Sequence, residues 1–160
     1  MKSFKDIFHT DFSVVNSAHA RVNLIGEHTD YTGGYVLPSL LNFKTTIQIS
    51  KNENKKYQVY SEHFNEQINF TDFIKSKNNK WVDYVKGSLF VFYDENKHIP
   101  NTYLNIYISS TIPIGRGISS SSALCVAVLK SLNSFFNTEY TEKHIAILAQ
   151  KVERNYIGVS

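Results

Sequence analysis

The chain has 160 residues, of which 42% are hydrophobic, 14% aromatic and 19% charged, so it can bury one sizeable core and carries too little charge for a disordered tail. Its 17 basic and 14 acidic side chains leave a net charge of +3, and the lysines fall in turn-like stretches such as 51–57 and 75–80, without a basic helix face or aromatic platform, which argues against a nucleic-acid partner. No stretch approaches the ~18 uninterrupted apolar residues of a membrane span, the N-terminal "MKSFKDIFHTDF" has no apolar leader core, and the single cysteine, Cys125, fits a reducing cytoplasm.

In chain order, apolar alternation around Val22 and Leu24, then Val36, then Ile47 and Ile49, then Tyr57–Tyr60 and Ile68–Phe70, predicts several short antiparallel strands separated by polar turns. The period changes at residue 81. Trp81, Tyr84, Val85, Ser88, Leu89 and Phe92 share one helical face, with Gly87 allowing close packing. Leu104, Ile106 and Ile108 alternate as a strand within Thr102–Ile112. "PIGRG" (Pro113–Gly117) then interrupts regular structure, and a buried helix follows with Leu124, Val128, Leu132 and Phe135 at helical spacing. A last helix has Thr141 as its N-cap, a stripe of Ile145, Leu148, Ala149, Val152 and Tyr156, and Gly158 as its end. Residues 1–160 read as one α+β domain.

Two loops carry chemistry. In "PIGRGISSSSAL" (Pro113–Leu124), Gly115 and Gly117 permit positive φ and close backbone approach, while the serines open a helix whose free N–H groups and dipole favour an anion such as phosphate. Neither a Walker A loop nor a dinucleotide fingerprint is present. A plain glycine turn with a serine-capped helix is the alternative, although one cap needs only one hydroxyl. In "RVNLIGEHTDYTGGYVLP" (Arg21–Pro38), Glu27, His28 and Asp30 are too close in sequence for a helical metal pair. Placed in a loop between strands, they can converge on the hydroxyls of a sugar. The alternative is a turn in which Asp30 caps a backbone N–H and Glu27 pairs with Arg21.

The two stretches together resemble the GHMP kinases. "RVNLIGEHTDYTGGYVLP" is similar to the galactokinase signature, and "PIGRGISSSSAL" to the ATP-binding motif shared by galactokinase, homoserine kinase, mevalonate kinase and phosphomevalonate kinase. "WVDYVKG" (Trp81–Gly87) and "VERNYIGV" (Val152–Val159) resemble further galactokinase segments in the family order. The resemblance implies an α+β domain of the GHMP N-terminal type, with an antiparallel-rich mixed sheet packed with helices. It implies transfer of the γ-phosphoryl group of ATP to the anomeric hydroxyl of galactose, with Mg2+.

By the same resemblance, Arg21 lies near the reacting hydroxyl and the transferring phosphate, as the catalytic residue of this portion. Glu27, His28 and Asp30 bind sugar, Gly115, Gly117, Ser119, Ser120 and Ser121 cradle the nucleotide, and Ser121 is a magnesium ligand. His19 and Ala20 stand where the family has Pro-Gly, and Ala20 is tolerated only if its φ is negative. Thr32, Ile118 and the Ser122–Ala123 order are smaller departures, and Arg116 replaces a small residue.

In galactokinases the segment after "VERNYIGV" brings the aspartate proposed as general base, which here would fall roughly five positions beyond Ser160. The chain is therefore expected to be an N-terminal portion ending before that aspartate, inactive or nearly so by itself, with a missing C-terminal domain that packs on it. The other readings are a non-catalytic galactose and ATP sensor, and an N-acetylgalactosamine kinase of the same superfamily.

Overall fold

The computed structural model describes residues 1–25, 37–77, 80–113 and 120–158. Five strands, β1 (Val14–Ile25), β2 (Leu37–Lys51), β3 (Tyr57–Ser61), β4 (Glu66–Phe70) and β5 (Leu104–Ser110), form one sheet in the order β1-β2-β5-β3-β4. All neighbours are antiparallel except β3 and β5, which run parallel. The helices are α1 (Phe4–Phe8), α2 (Val82–Glu95), α3 (Ser120–Phe136) and α4 (Glu142–Lys151), and α4 continues directly into a π-helical segment, Val152–Ile157.

The sheet corrects the expectation of short antiparallel strands. β1 and β2 run for 12 and 15 residues, with register shifts between His19 and Arg21 and between Asn23 and Ile25 that absorb the mismatch of a long twisted pair. Pro38 is tolerated near the start of β2 because β5 pairs from Thr45 onward, so that among the described residues this end of the strand pairs with β1 alone. The parallel β3–β5 pair requires a long crossover, which β4 and α2 supply.

Strand alternation sorts side chains to two faces. Ile47, Ile49, Val59, Leu104 and Ile106 are fully buried against α2 and α3, which contribute Leu89, Phe92, Val128, Leu129 and Leu132 to the same core. Each such side chain contributes about 1.5–3 kcal/mol by leaving water. Tyr60 and Tyr107 point to the opposite face and meet Phe4 of α1. This helix is not among the elements that the sequence predicts. Ser3 and Asp6 build a capping box around it, with Ser3 Oγ accepting from Asp6 N and Asp6 accepting from Ser3 N at 2.8 Å.

The predicted helix caps are present: Thr141 Oγ1 accepts from His144 N at 3.1 Å, and Gly158 ends the chain of helical turns at φ 89°. The final turns differ from the expected α-helix, since Gly158 N donates to Glu153 O, five residues back, at 2.9 Å. In α3 the buried stripe is Ala123, Cys125, Ala127, Val128, Leu129, Ser131 and Leu132, with the expected Leu124 and Phe135 at its margins. Gly87 packs as expected, directly beneath the π-helical segment. Val36 and Ile118 lie outside the described residues.

Candidate active site

α3 begins at Ser120, and its first turn meets the π-helical segment. Ser121 Oγ donates to Glu153 Oε1 at 3.0 Å, and Ser122 Oγ donates to Oε1 at 3.0 Å and Oε2 at 3.1 Å. One carboxylate is thus held by two hydroxyls at a helix N-terminus, where backbone N–H groups lack intrahelical partners and the dipole is positive. A serine that gives its proton to a carboxylate keeps its oxygen lone pairs for a cation. This all-oxygen set suits a hard divalent ion such as Mg2+.

The surroundings are dry on one side. Burial pushes the Cys125 thiol up to about 12, with Glu153 adding to the shift and the Ser88 hydroxyl opposing it. Burial also raises the Tyr84 phenol, with the nearby Ser121 hydroxyl working the other way. Tyr84, Ser88 and Cys125 therefore back the Ser121–Glu153 pair from α2 and α3. On the open side, a cleft of about 750 Å³ is lined by Ser17, His19, Ser122, Lys130, Glu142 and Glu153 among others. Lys130 Nζ donates to Ser17 O at 2.7 Å, tying α3 to β1 along that wall.

Among the sequence-predicted residues, Ser120 and Ser121 occupy the first turn of α3. Arg21 pairs with Leu40 across β1 and β2, its side chain lying outside the described set. Glu27, His28, Asp30, Gly115, Gly117 and Ser119 lie outside the described residues, as do Thr32 and Arg116. Ala20 is fully buried in β1 and free of the left-handed backbone that would demand glycine, so the departure from Pro-Gly leaves the strand intact.

Sequence reasoning missed Glu153. Its only cue was a carboxylate set between the core-facing Val152 and Tyr156, and no spacing motif links it to a serine 32 positions earlier. Among the described residues no group of three or more His, Cys, Asp or Glu side chains forms a metal cluster, and no helix is long and apolar enough to cross a membrane.

Both the sequence and the fold resemble known proteins. The chain matches the galactokinase galactose-binding signature over residues 2–51 and the GHMP kinases N terminal domain over residues 83–160. It is 44% identical to a galactokinase of Pyrococcus furiosus over 139 residues, covering 87% of this chain and 38% of that protein. It is 34% identical to a galactokinase of Lacticaseibacillus casei, covering 99% and 42%. The crystal structure of Lactococcus lactis galactokinase complexed with galactose superposes with a TM-score of 0.86 at 34% identity, over 98% of this chain and 42% of that one. Methanococcus jannaschii mevalonate kinase shares the fold, with a TM-score of 0.83 at 24% identity over 92% and 48%. The chain spans about two fifths of the length of the curated relatives it matches. With a galactose-binding signature preceding a kinase N-terminal domain, and a fold superposable on galactokinase, this chain belongs to the GHMP kinase family and carries its galactokinase-type N-terminal portion.

Proposed function

We propose that this chain serves as the sugar- and nucleotide-binding portion of a galactokinase, which transfers the γ-phosphoryl group of ATP to the anomeric hydroxyl of galactose and yields galactose 1-phosphate. The observation that carries the reading is the Glu153 carboxylate held by Ser121 and Ser122 at the start of α3, beside the segment that matches the galactose-binding signature. In this reading Ser121 and Glu153 hold Mg2+, and Gly115, Gly117, Ser119 and Ser120 cradle the phosphates with backbone N–H groups and hydroxyls. A magnesium ion held by these residues would supply positive charge against the phosphate charge that builds up during transfer. Glu27, His28 and Asp30 orient the sugar through its hydroxyls, and the Arg21 guanidinium stabilises charge on the transferring group. A cytoplasmic location accompanies the proposal, supported by a single free and buried cysteine.

The curated relatives are more than twice this length, and turnover is proposed for a chain of that length. The test titrates galactose, with glucose as control, into this chain alone and into this chain joined to the remaining portion of the Lactococcus lactis enzyme, each with and without Mg-ATP. Galactose-dependent, glucose-independent ADP release in the joined form is the expected result. Equal handling of the two sugars overturns the substrate, and tight galactose binding in both forms without turnover in either favours the sensor reading.

A further inference from the structure

We propose that Gly87, in the middle of α2, is a positioning residue for the Glu153 carboxylate. Glycine is a poor choice inside a helix, because it leaves the backbone more freedom to lose on folding than any other residue. Gly87 sits where any Cβ would crowd two side chains of the neighbouring segment. A Cβ built there would lie 2.6 Å from Tyr156 Cδ1, 3.0 Å from Tyr156 Cγ and 2.9 Å from Val152 Cγ1. Both neighbours belong to the π-helical segment that carries Glu153.

That segment has little room to yield. The Tyr156 hydroxyl donates to Phe73 O, Lys75 Nζ donates to Ile157 O at 2.8 Å, and Val152 is fully buried beside Glu153. Restoring ordinary van der Waals contact needs a shift of about 1 Å, which takes a 3.0 Å hydrogen bond past its useful range. The absent side chain at Gly87 thus lets α2 and the π-helical segment close together, and that closure sets Glu153 on Ser121 and Ser122. The functional consequence rests on the reading of this constellation as the metal–nucleotide site.

The test compares wild type with Gly87→Ala. One readout is free of ligand: NOEs from the Ser121 and Ser122 Hβ protons to Glu153 Hγ. The other is the ratio of ATP affinity with Mg2+ to ATP affinity in EDTA. The proposal expects Gly87→Ala to lose the NOEs and bring the ratio down by about tenfold or to unity, with metal-free ATP binding within about twofold of wild type. Retained NOEs, a retained ratio, or a parallel fall of both affinities overturns it, the last being what a merely structural role produces. If Gly87→Ala does not fold, Tyr156→Phe, which removes only the anchor to Phe73, carries the test: a ratio several-fold lower supports the proposal, and an unchanged one overturns it. A wild-type ratio of unity sinks the proposed function instead, and the NOEs then decide the role of Gly87 alone.

Discussion

Both carboxylate oxygens of Glu153 accept from the Ser122 hydroxyl, at 3.0 and 3.1 Å, joining the first turn of α3 to a π-helical segment 31 positions away. Together with the Ser121 hydroxyl, which donates to Oε1 at 3.0 Å, this contact ties the two elements and places a negative charge where a cation can share it with serine oxygens.

Glu153→Gln separates charge from shape. An amide keeps the volume and one acceptor oxygen but removes the carboxylate charge. Hydrogen bonds to charged groups contribute about 1.5–3 kcal/mol, so urea unfolding of the variant is expected to show a loss of that order. ATP titration with and without Mg2+ is expected to show the metal's effect abolished and the metal-free affinity kept.

Cys125 is fully buried, and its thiol is pushed from the usual 9.0 up to about 12, by burial first and by Glu153 second. At pH 8 the native protein is expected to resist alkylation that the unfolded chain undergoes readily. Between pH 9 and 12 the unfolded state gives up the thiol proton while the native state keeps it, so this contribution to stability falls as pH rises, by at most about 1.4 kcal/mol per pH unit. Burial raises Tyr156 as well, to about 12, which acts in the same direction. Thermal unfolding from pH 7 to 11 checks the sign, and Cys125→Ala is expected to flatten part of the alkaline decline.

Asn105 is buried in β5 on the face away from the main core. It accepts from Asn52 Nδ2 at 3.1 Å and donates to Ser50 Oγ at 3.2 Å. Asn105→Ala leaves the Asn52 amide and the Ser50 hydroxyl without that partner, and unmade buried hydrogen bonds cost about 1–3 kcal/mol. Guanidinium unfolding is expected to show that loss, with ATP and galactose binding unchanged.

Much of the architecture could be read from periodicity. Val85, Leu89 and Phe92 in α2, Val128 and Leu132 in α3, and Ile145 and Leu148 in α4 repeat every three or four residues and are all buried. The long pairing of β1 with β2 was hidden because its bulges at residues 19–21 and 23–25 break strict alternation. The π-helical register after Lys151 has no composition cue, and the spacing of Val152 and Tyr156 suits an α-helix equally well. α1 is too short to show a period, and only Ser3 and Asp6 announce it. In the site, the serines were legible because four in succession exceed what a cap requires. Glu153 was not, since its partnership with them exists only after α2, α3 and the π-helical segment have packed.

The most direct test of the account is an NMR titration of the isotope-labelled 160-residue chain with galactose, glucose and Mg-ATP, a method that reads weak binding residue by residue. Galactose and not glucose is expected to shift amides within residues 21–38, and Mg-ATP to shift those of Ser120, Ser121, Ser122 and Glu153. Identical responses to the two sugars, or Mg-ATP shifts that leave the α3 N-terminus and Glu153 untouched, would contradict the account.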